Sequence, residues 1–496
     1  MRWSELARAI GGPVDPEPVP DPEITGIAYD SGQVEDGMVF VAVPGQHHDG
    51  HDFVETAFDR GAALAVVQRR VEAARPQVVV EDSRRALAQL AAVFFGRPSE
   101  RLQVVGVTGT DGKTTTTTLL QAALSESLGL AGSLSTVDFR MGREIFPNLS
   151  RQTTLESLDL QRWLRRMADA SCRAVALEAT SHGLALGRLD SVRFAGAVFT
   201  NITHEHLDFH GTWEAYFEAK ASLLARAGAA GGFAVLNRDD QRAFPELRRR
   251  APERTLTYSA QGNRAADLVA SGVAAHGSGL GFRARTPAGP AEVHLGMAGR
   301  WNVGNALAAL GAGLLMEQPL EALVRGLERL PAISGRMESV ELGQPFSVIV
   351  DYAHTPAALT QALAELRSAT AGRLWVVFGS AGERDLAKRR EMGRIAARLA
   401  DQVVITSEDP RGEDPRAIVE EIAAGAVEAG RQQGVDLHLE PDREQAVRLA
   451  LGQALRGDTV LLAGKGHERS IIGADGSQPW DEREMAVRAL RQLRRA

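Results

Sequence analysis

The chain has 496 residues, of which 44% are apolar, a net charge of −7 and one cysteine. That length exceeds one ordinary hydrophobic core and points to about three domains. The acidic balance excludes a general nucleic-acid binder, which would carry a basic face. The lone Cys172 excludes an internal disulfide framework, fits a reducing cytoplasm, and reads as a small buried hydrophobe ahead of AVALEA.

The opening MRWSELARAIGG reads as a short amphipathic helix, because it lacks the continuous apolar core of a signal peptide. No run of about 18 apolar residues follows, so no membrane insertion is expected. Residues 1–97 mix MVFVAVPG, AALAVV and QVVVED with Gly- and Asp-rich turns, the pattern of a small α/β unit. FFGRPSERLQ forms a Pro-bearing connector. From 98 to 332, strands VVGV, RAVALEAT, AGAVFTN and GFAVLN alternate with helices, which implies a parallel sheet covered on both faces. RTLTYSA, GFRARTP and AEVHLGM are expected to form an antiparallel appendage. From 333 to 496 the alternation restarts with FSVIVDYAH, RLWVVFGS, DQVVITSED and DTVLLAGKG. Each of these strands ends in Gly, Asp, Ser or His, at the edge where open α/β sheets bind ligands.

GVTGTDGKTTT, residues 106–116, lies between a strand and a helix. Gly109 and Gly112 let backbone N–H groups turn toward an anion, and the helix N-terminus adds positive potential. Lys113 is placed to reach β- and γ-phosphates and Thr114 to hold Mg²⁺, with Thr110, Asp111 and Thr115 in the same loop. Val107 stands where the strict phosphate-loop pattern has its first glycine. The loop is nonetheless read as a nucleoside-triphosphate site.

TNITHEHLDFHGTWEAYFEAK, residues 200–220, packs three histidines, four acids and a closing lysine together. Zinc is one reading, but a zinc hydrolase site leaves the phosphate loop unexplained.

GTDGKTT, LEATSHG, NITHEHLDFHG, GRWNVGNALAA, SGRME, DYAHTP, FGSAGERDLAKRREMG and AGKGHE occur in this order. Together they resemble the Mur ligase family of ATP-dependent amide ligases. DYAHTP and GKGHE are most similar to the member that adds the third peptide residue. The resemblance implies an α/β protein of three domains: 1–97 binding the uridine nucleotide, 98–332 a central phosphate-loop ATPase-type parallel sheet, and 333–496 a Rossmann-like sheet binding the incoming amino acid. It implies a cytoplasmic monomer that joins a diamino acid to the D-Glu γ-carboxylate of UDP-MurNAc-L-Ala-D-Glu through an acyl phosphate.

Site residues follow from the same resemblance. Glu178, His206 and Thr114 would hold Mg²⁺, joined by Lys220 as a carbamate, whose oxygen suits Mg²⁺ where an ammonium would repel it. Asn302, Asn305, Arg336, Asp351 and His354 match nucleotide contacts. Tyr29, Ser31 and the turn Gln46-His47-His48 match uridine-domain contacts, and Thr153, Thr154, Thr180 and Arg188 match muramoyl-peptide contacts. Arg389, Glu408, Asp409, Pro410, Arg411, Gly464 and Glu468 match the amino-acid pocket. The diaminopimelate enzymes of the family typically have Asn where this chain has Asp409. Arg411 favours a distal carboxylate and Asp409 a side-chain ammonium, unless the two pair with each other. The choice among meso-diaminopimelate, L-lysine and L-ornithine stays open on the sequence. Another Mur- or folylpolyglutamate-type ligase, or a nucleotide switch that does not ligate, are the competing readings.

Overall fold

The computed structural model of the protein describes residues 1–11, 20–45, 48–73, 75–150, 152–203, 205–276 and 279–493. Two compact units divide the chain: 1–269 with 285–291 and 304–327, and 270–284 with 292–303 and 328–496.

The first unit opens with a parallel four-stranded sheet, β1 (Ile27–Ala28), β2 (Val39–Val41), β3 (Leu64–Val67) and β4 (Gln77–Val79), in that spatial order. Its strands are short apolar runs buried on both faces, as parallel strands covered by helices must be. The helix Ser83–Phe94 packs on it; Asp82 caps this helix by accepting the Arg84 and Arg85 amides.

A larger sheet follows. Its strands are β5 (Gln103–Thr108), β6 (Ala131–Leu134), β7 (Asp138–Met141), β8 (Glu144–Pro147), β9 (Ala174–Glu178), β10 (Phe194–Phe199), β11 (Phe233–Asn237) and β12 (Thr255–Ser259), and the spatial order is β12-β11-β10-β5-β9-β6-β7-β8. From β12 to β6 all neighbours run parallel, while β7 and β8 turn back as an antiparallel edge. The strand in RTLTYSA is therefore part of the parallel sheet and not an appendage, because its register follows β11 through Ala234↔Thr255. β13 (Leu268–His276) also pairs parallel to β12, at Leu268 and Val269. The division between the units falls within β13, β14 (Gly279–Thr286) and β15 (Gly289–Leu295).

Consecutive parallel strands bring their C-terminal ends to one edge, so the residues after β5, β6, β9 and β10 share it. The helix Lys113–Leu128 starts there although it begins with five consecutive threonines, Thr114–Thr118, which are poor helix formers. Burial of all five decides the matter, and Thr118 Oγ1 returns a hydrogen bond to the Thr114 carbonyl.

The second unit has a sheet of β16 (Glu338–Ser339), β17 (Ser347–Asp351), β18 (Leu374–Phe378), β19 (Gln402–Ile405), β20 (Leu437–Leu439) and β21 (Thr459–Ala463) in the order β16-β17-β21-β18-β19-β20. Only β16 is antiparallel. A separate hairpin, β22 (Ser470–Gly473) with β23 (Gly476–Pro479), follows. Helices Ala387–Leu399 and Pro415–Glu428 cross so closely that a Cβ on Gly393 would strike the Ile422 carbonyl, and one on Gly425 the Arg390 carbonyl. The variant Gly425→Ala is therefore expected to destabilise this unit by about 1–3 kcal/mol, read as a lower urea midpoint at constant slope.

Candidate active site

At the shared edge of the first unit's large sheet, Gly109 has φ +152° and Gly112 φ +81°, conformations that side-chain-bearing residues rarely adopt. A Cβ on Gly112 would also collide with Asn305 Oδ1, which accepts from Thr116 Oγ1 at 3.2 Å. The loop is braced by the strand β10 exit. The Thr110 amide donates to the Asn201 carbonyl at 2.7 Å, the Asp111 amide to Asn201 Oδ1 at 2.9 Å, and Thr200 Oγ1 to the Asp111 carbonyl at 2.5 Å. Lys113 Nζ folds over the loop, donating to the carbonyls of Thr110 at 2.6 Å and Gly109 at 3.1 Å.

Lys220 reaches the same loop from the helix Trp213–Ala229, whose N-terminus Thr212 caps by accepting the Ala215 amide. Its Nζ donates to the Gly109 carbonyl at 2.6 Å and lies 4.6 Å from the centre of the Tyr216 ring. The side chain is buried, and burial pushes its pKa well below the usual lysine value. The Lys113 charge pushes the same way, while Glu205 and Asp111 oppose. At neutral pH this amine therefore has far more neutral form than an exposed lysine. Tyr216, whose pKa burial and then Glu205 drive upward, stays a phenol and hydrogen-bonds with Thr110 Oγ1 at 3.0 Å.

Glu178, at the end of β9, is fully buried and takes the Thr136 amide at 2.8 Å and the Thr136 hydroxyl at 3.2 Å. Thr136 Oγ1 also meets Thr153 Oγ1 at 3.0 Å. Thr154 Oγ1 donates to the Glu178 carbonyl at 2.8 Å and accepts from the Thr180 amide and hydroxyl at 3.0 and 2.9 Å. Arg188 donates to the Thr154 carbonyl and pairs with Glu156, which also holds Arg84. The four residues matched to muramoyl-peptide contacts thus form one patch beside Glu178.

His206 sits at φ +55° with its ring edge-on to His182 at 4.7 Å and its Nε2 3.6 Å from the Glu205 carboxylate. Among the described residues no group of three or more His, Cys, Asp and Glu side chains is clustered to hold a metal. Hard oxygen donors are nevertheless present in the Thr114 hydroxyl and the Glu178 carboxylate, and they fit Mg²⁺, which keeps several waters and substrate oxygens in its shell.

Among the residues matched to uridine-domain contacts, Tyr29 donates to Asp159 at 3.0 Å, Ser31 begins a short turn capped by Asp30, and His48 is exposed with its ring edge-on to Phe53. Gln46 and His47 lie outside the described residues.

The second unit repeats the pattern of strand-end loops. Asp351 closes β17, and its carboxylate accepts the amides of Met337 at 2.7 Å and Ala353 at 2.8 Å. Arg336 lies 4.9 Å from the centre of the Tyr352 ring, and His354 Nδ1 is 2.8 Å from the Tyr352 carbonyl. Asn302 donates to the Ala298 carbonyl at 2.6 Å in this unit, whereas Asn305 belongs to the first unit. Glu408 to Arg411 follow β19, and Gly464 to Glu468 follow β21. A Cβ on Gly464 would come within 2.9 Å of Glu408 Oε2. Pro410 accepts the Glu413 amide in the turn that leaves this loop. Arg389 is nearly inaccessible, and its guanidinium is held by Glu413 and Glu421 at 2.9 Å each, not by the 408–411 run.

Four partners were not singled out in the sequence. Thr136 and Asn201 follow strands whose C-terminal ends lie at this edge, which was their available signal. Lys465 and His467 stand inside GKGHE, between Gly464 and Glu468. Lys465 is buried against Asp409 and Glu468, and burial together with nearby cations pushes His467 down to about 3, leaving it neutral.

No helix among the described residues is long and apolar enough to cross a membrane. Three family models match in chain order: "Mur ligase family, catalytic domain" over 23–95, "Mur ligase middle domain" over 107–313 and "Mur ligase, glutamate ligase domain" over 335–466. The chain is 46% identical to a UDP-N-acetylmuramyl-tripeptide synthetase of Roseiflexus sp. (strain RS-1), with 99% of each chain covered. It is 41% identical to a UDP-N-acetylmuramoyl-L-alanyl-D-glutamate–2,6-diaminopimelate ligase of Geobacillus kaustophilus (strain HTA426), covering 95% of this chain and 96% of the relative. A solved structure of a ligase of that second name superposes with TM-score 0.66 at 31% identity, covering 95% of both chains. With this identity sustained from end to end, and the phosphate loop where the middle-domain model begins, the chain belongs to the Mur ligase family.

Proposed function

We propose that this ATP-dependent amide-bond ligase joins a diamino acid to the D-Glu γ-carboxylate of UDP-MurNAc-L-Ala-D-Glu, in the cytoplasmic synthesis of peptidoglycan precursor, and works as a monomer. The observation that carries the reading is the convergence of two lysines on one carbonyl of the phosphate loop: Lys113 at 3.1 Å and Lys220 at 2.6 Å from Gly109 O. A carboxylate and a triphosphate are both anions, so their reaction needs cationic groups and fixed orientation at the point of contact.

In this reading a γ-carboxylate oxygen attacks the γ-phosphorus of ATP, the bond to ADP breaks, and an acyl phosphate forms. The amino nitrogen then attacks the acyl carbon, phosphate departs with the C–O electron pair, and the nitrogen releases its proton. Gly109 to Thr115 cradle the phosphates, and Lys113 leaves its loop carbonyls to neutralise them. Thr114 and Glu178 would hold one Mg²⁺ and His206 with carbamylated Lys220 a second; bound Mg²⁺ screens the phosphate charge. Lys220 becomes a carbamate when its neutral amine adds to the carbon of CO₂ and loses a proton. The depressed pKa of this buried amine supports that step.

The uridine nucleotide falls to residues 1–97, through Tyr29, Ser31, Gln46, His47 and His48, and the muramoyl peptide to Thr153, Thr154, Thr180 and Arg188. Residues 98–332 bind ATP, with Asn302 and Asn305 near the base. Residues 333–496 supply Arg336, Asp351 and His354 to the nucleotide, and Arg389, Glu408 to Arg411, Gly464 and Glu468 to the amino acid.

Phosphate release measured with ATP and Mg²⁺ is expected only when the UDP-MurNAc-dipeptide and a diamino acid are both present, with a product mass equal to their sum less water. Release with ATP alone would indicate a nucleotide switch, and release with a different acceptor another ligase of the family.

A further inference from the structure

We infer that the buried Lys465–Asp409 ion pair sets which diamino acid side chain the second unit accepts; this rests on the ligase reading above. Lys465 is fully buried, and its Nζ donates to Asp409 Oδ1 at 2.8 Å. The same oxygen takes the Ile472 amide at 2.9 Å, tying the loop to strand β22. Lys465 also pairs with Glu468, which accepts from the Tyr352 hydroxyl at 3.4 Å. One cation therefore serves two carboxylates.

Arg411, two residues beyond Asp409, does not supply the compensation. Its backbone is held at φ +54° with the amide on the Ile472 carbonyl, while its guanidinium makes no ion pair or hydrogen bond among the described residues. Its Nε is buried without a partner. Glu408, earlier in the same loop, is buried, and its Oε2 has no partner. The loop thus offers one uncommitted guanidinium and one uncommitted carboxylate, with Asp409 between them in sequence.

A buried polar atom lacking a partner is costly, so Glu408 Oε2 and Arg411 Nε are both set to receive one from the ligand. An amino acid side chain ending in an ammonium alone uses Glu408; one ending in an ammonium and a carboxylate uses Glu408 and Arg411. The net charge of Asp409 tips the balance between these two classes, and Lys465 determines how much of that charge is felt. Lysine at 465 thereby moderates the penalty that Asp409 imposes on a distal carboxylate.

The test compares kcat/KM for meso-diaminopimelate with that for L-lysine and L-ornithine, substituting the competitive inhibition constant for any amino acid that is not turned over. Asp409→Asn should raise the diaminopimelate-to-lysine ratio by about tenfold or more, and Lys465→Gln should lower it by a similar factor, as expected when a buried charge loses its counter-ion. The double variant should return to within about threefold of the parent ratio, because removing both opposite charges leaves the pair net neutral, as in the parent, and the two shifts cancel. A ratio that changes less than about twofold in Asp409→Asn overturns the inference, and this near-isosteric variant decides alone if Lys465→Gln does not fold. Shifts in the same direction in both single variants would also overturn it. The parent enzyme is assayed first: an unchanged ratio in a working ligase counts against the ion pair only, whereas no turnover with any diamino acid counts against the ligase reading itself.

Discussion

Replacing Lys220 by alanine is expected to lower kcat for ligation by about 10³-fold or more, the scale of losing a central charge-stabilising group. The variant removes the buried amine on the Gly109 carbonyl and the carbamate it would form. Short carboxylic acids such as acetate or propionate should restore part of the rate, since they supply an anionic oxygen in the space the side chain vacated. The parent enzyme carries a matching dependence on pH. Carbamate forms only from the neutral amine, and burial extends that form below the range of an ordinary lysine. After CO₂ is stripped, bicarbonate should therefore restore activity at neutral pH, with recovery falling as pH drops through the depressed Lys220 pKa. Undiminished ligation by the alanine variant would remove Lys220 from the reaction.

Arg443→Met should produce the largest loss of stability in the second unit, about 3–5 kcal/mol, because it leaves a buried carboxylate uncompensated. Arg443 and Glu482 are both inaccessible and bidentate, at 2.9 and 2.8 Å. Two further Arg443 hydrogens go to the carbonyls of Ala463 at 2.7 Å and Ser407 at 3.1 Å. Those carbonyls immediately precede Gly464 and Glu408, so one guanidinium anchors both loops of the proposed amino-acid pocket. Urea unfolding of the full chain should show the loss, and the KM for the amino acid should rise more than kcat falls. Pairing the change with Glu482→Leu should recover most of the stability but not the KM, because the buried charge is gone while the loop anchors are still missing. Equal stability of the single variant and the parent would show that the pair contributes no net stabilisation.

The parallel sheets were legible because strands covered on both faces must be continuous apolar runs, as in LWVVF and TVLLA. The phosphate loop was legible because glycine positions and a strand–turn–helix context survive the loss of the first glycine to Val107. Other features depend on tertiary context. TLTYS carries nothing local that distinguishes a parallel neighbour of β11 from an appendage. The short β16 and β20 and the exposed hairpin β22–β23 have too few residues for a periodic signal. On the sequence, the compensation of Asp409 is expected from Arg411, the nearer residue in the chain. It comes instead from Lys465, 56 residues away, because β19 and β21 end at the same sheet edge. Likewise nothing in AGSLST marks Thr136 as the partner of Glu178; adjacent parallel strands β6 and β9 bring them together.

The most direct measurement follows oxygen. UDP-MurNAc-L-Ala-D-Glu labelled with ¹⁸O in the γ-carboxylate is incubated with ATP, Mg²⁺, enzyme and the diamino acid, and the released phosphate is analysed by mass. Attack of that carboxylate on the γ-phosphorus predicts one ¹⁸O atom in each phosphate released, alongside the amide product. Phosphate carrying no label, with ATP consumed, would contradict the account.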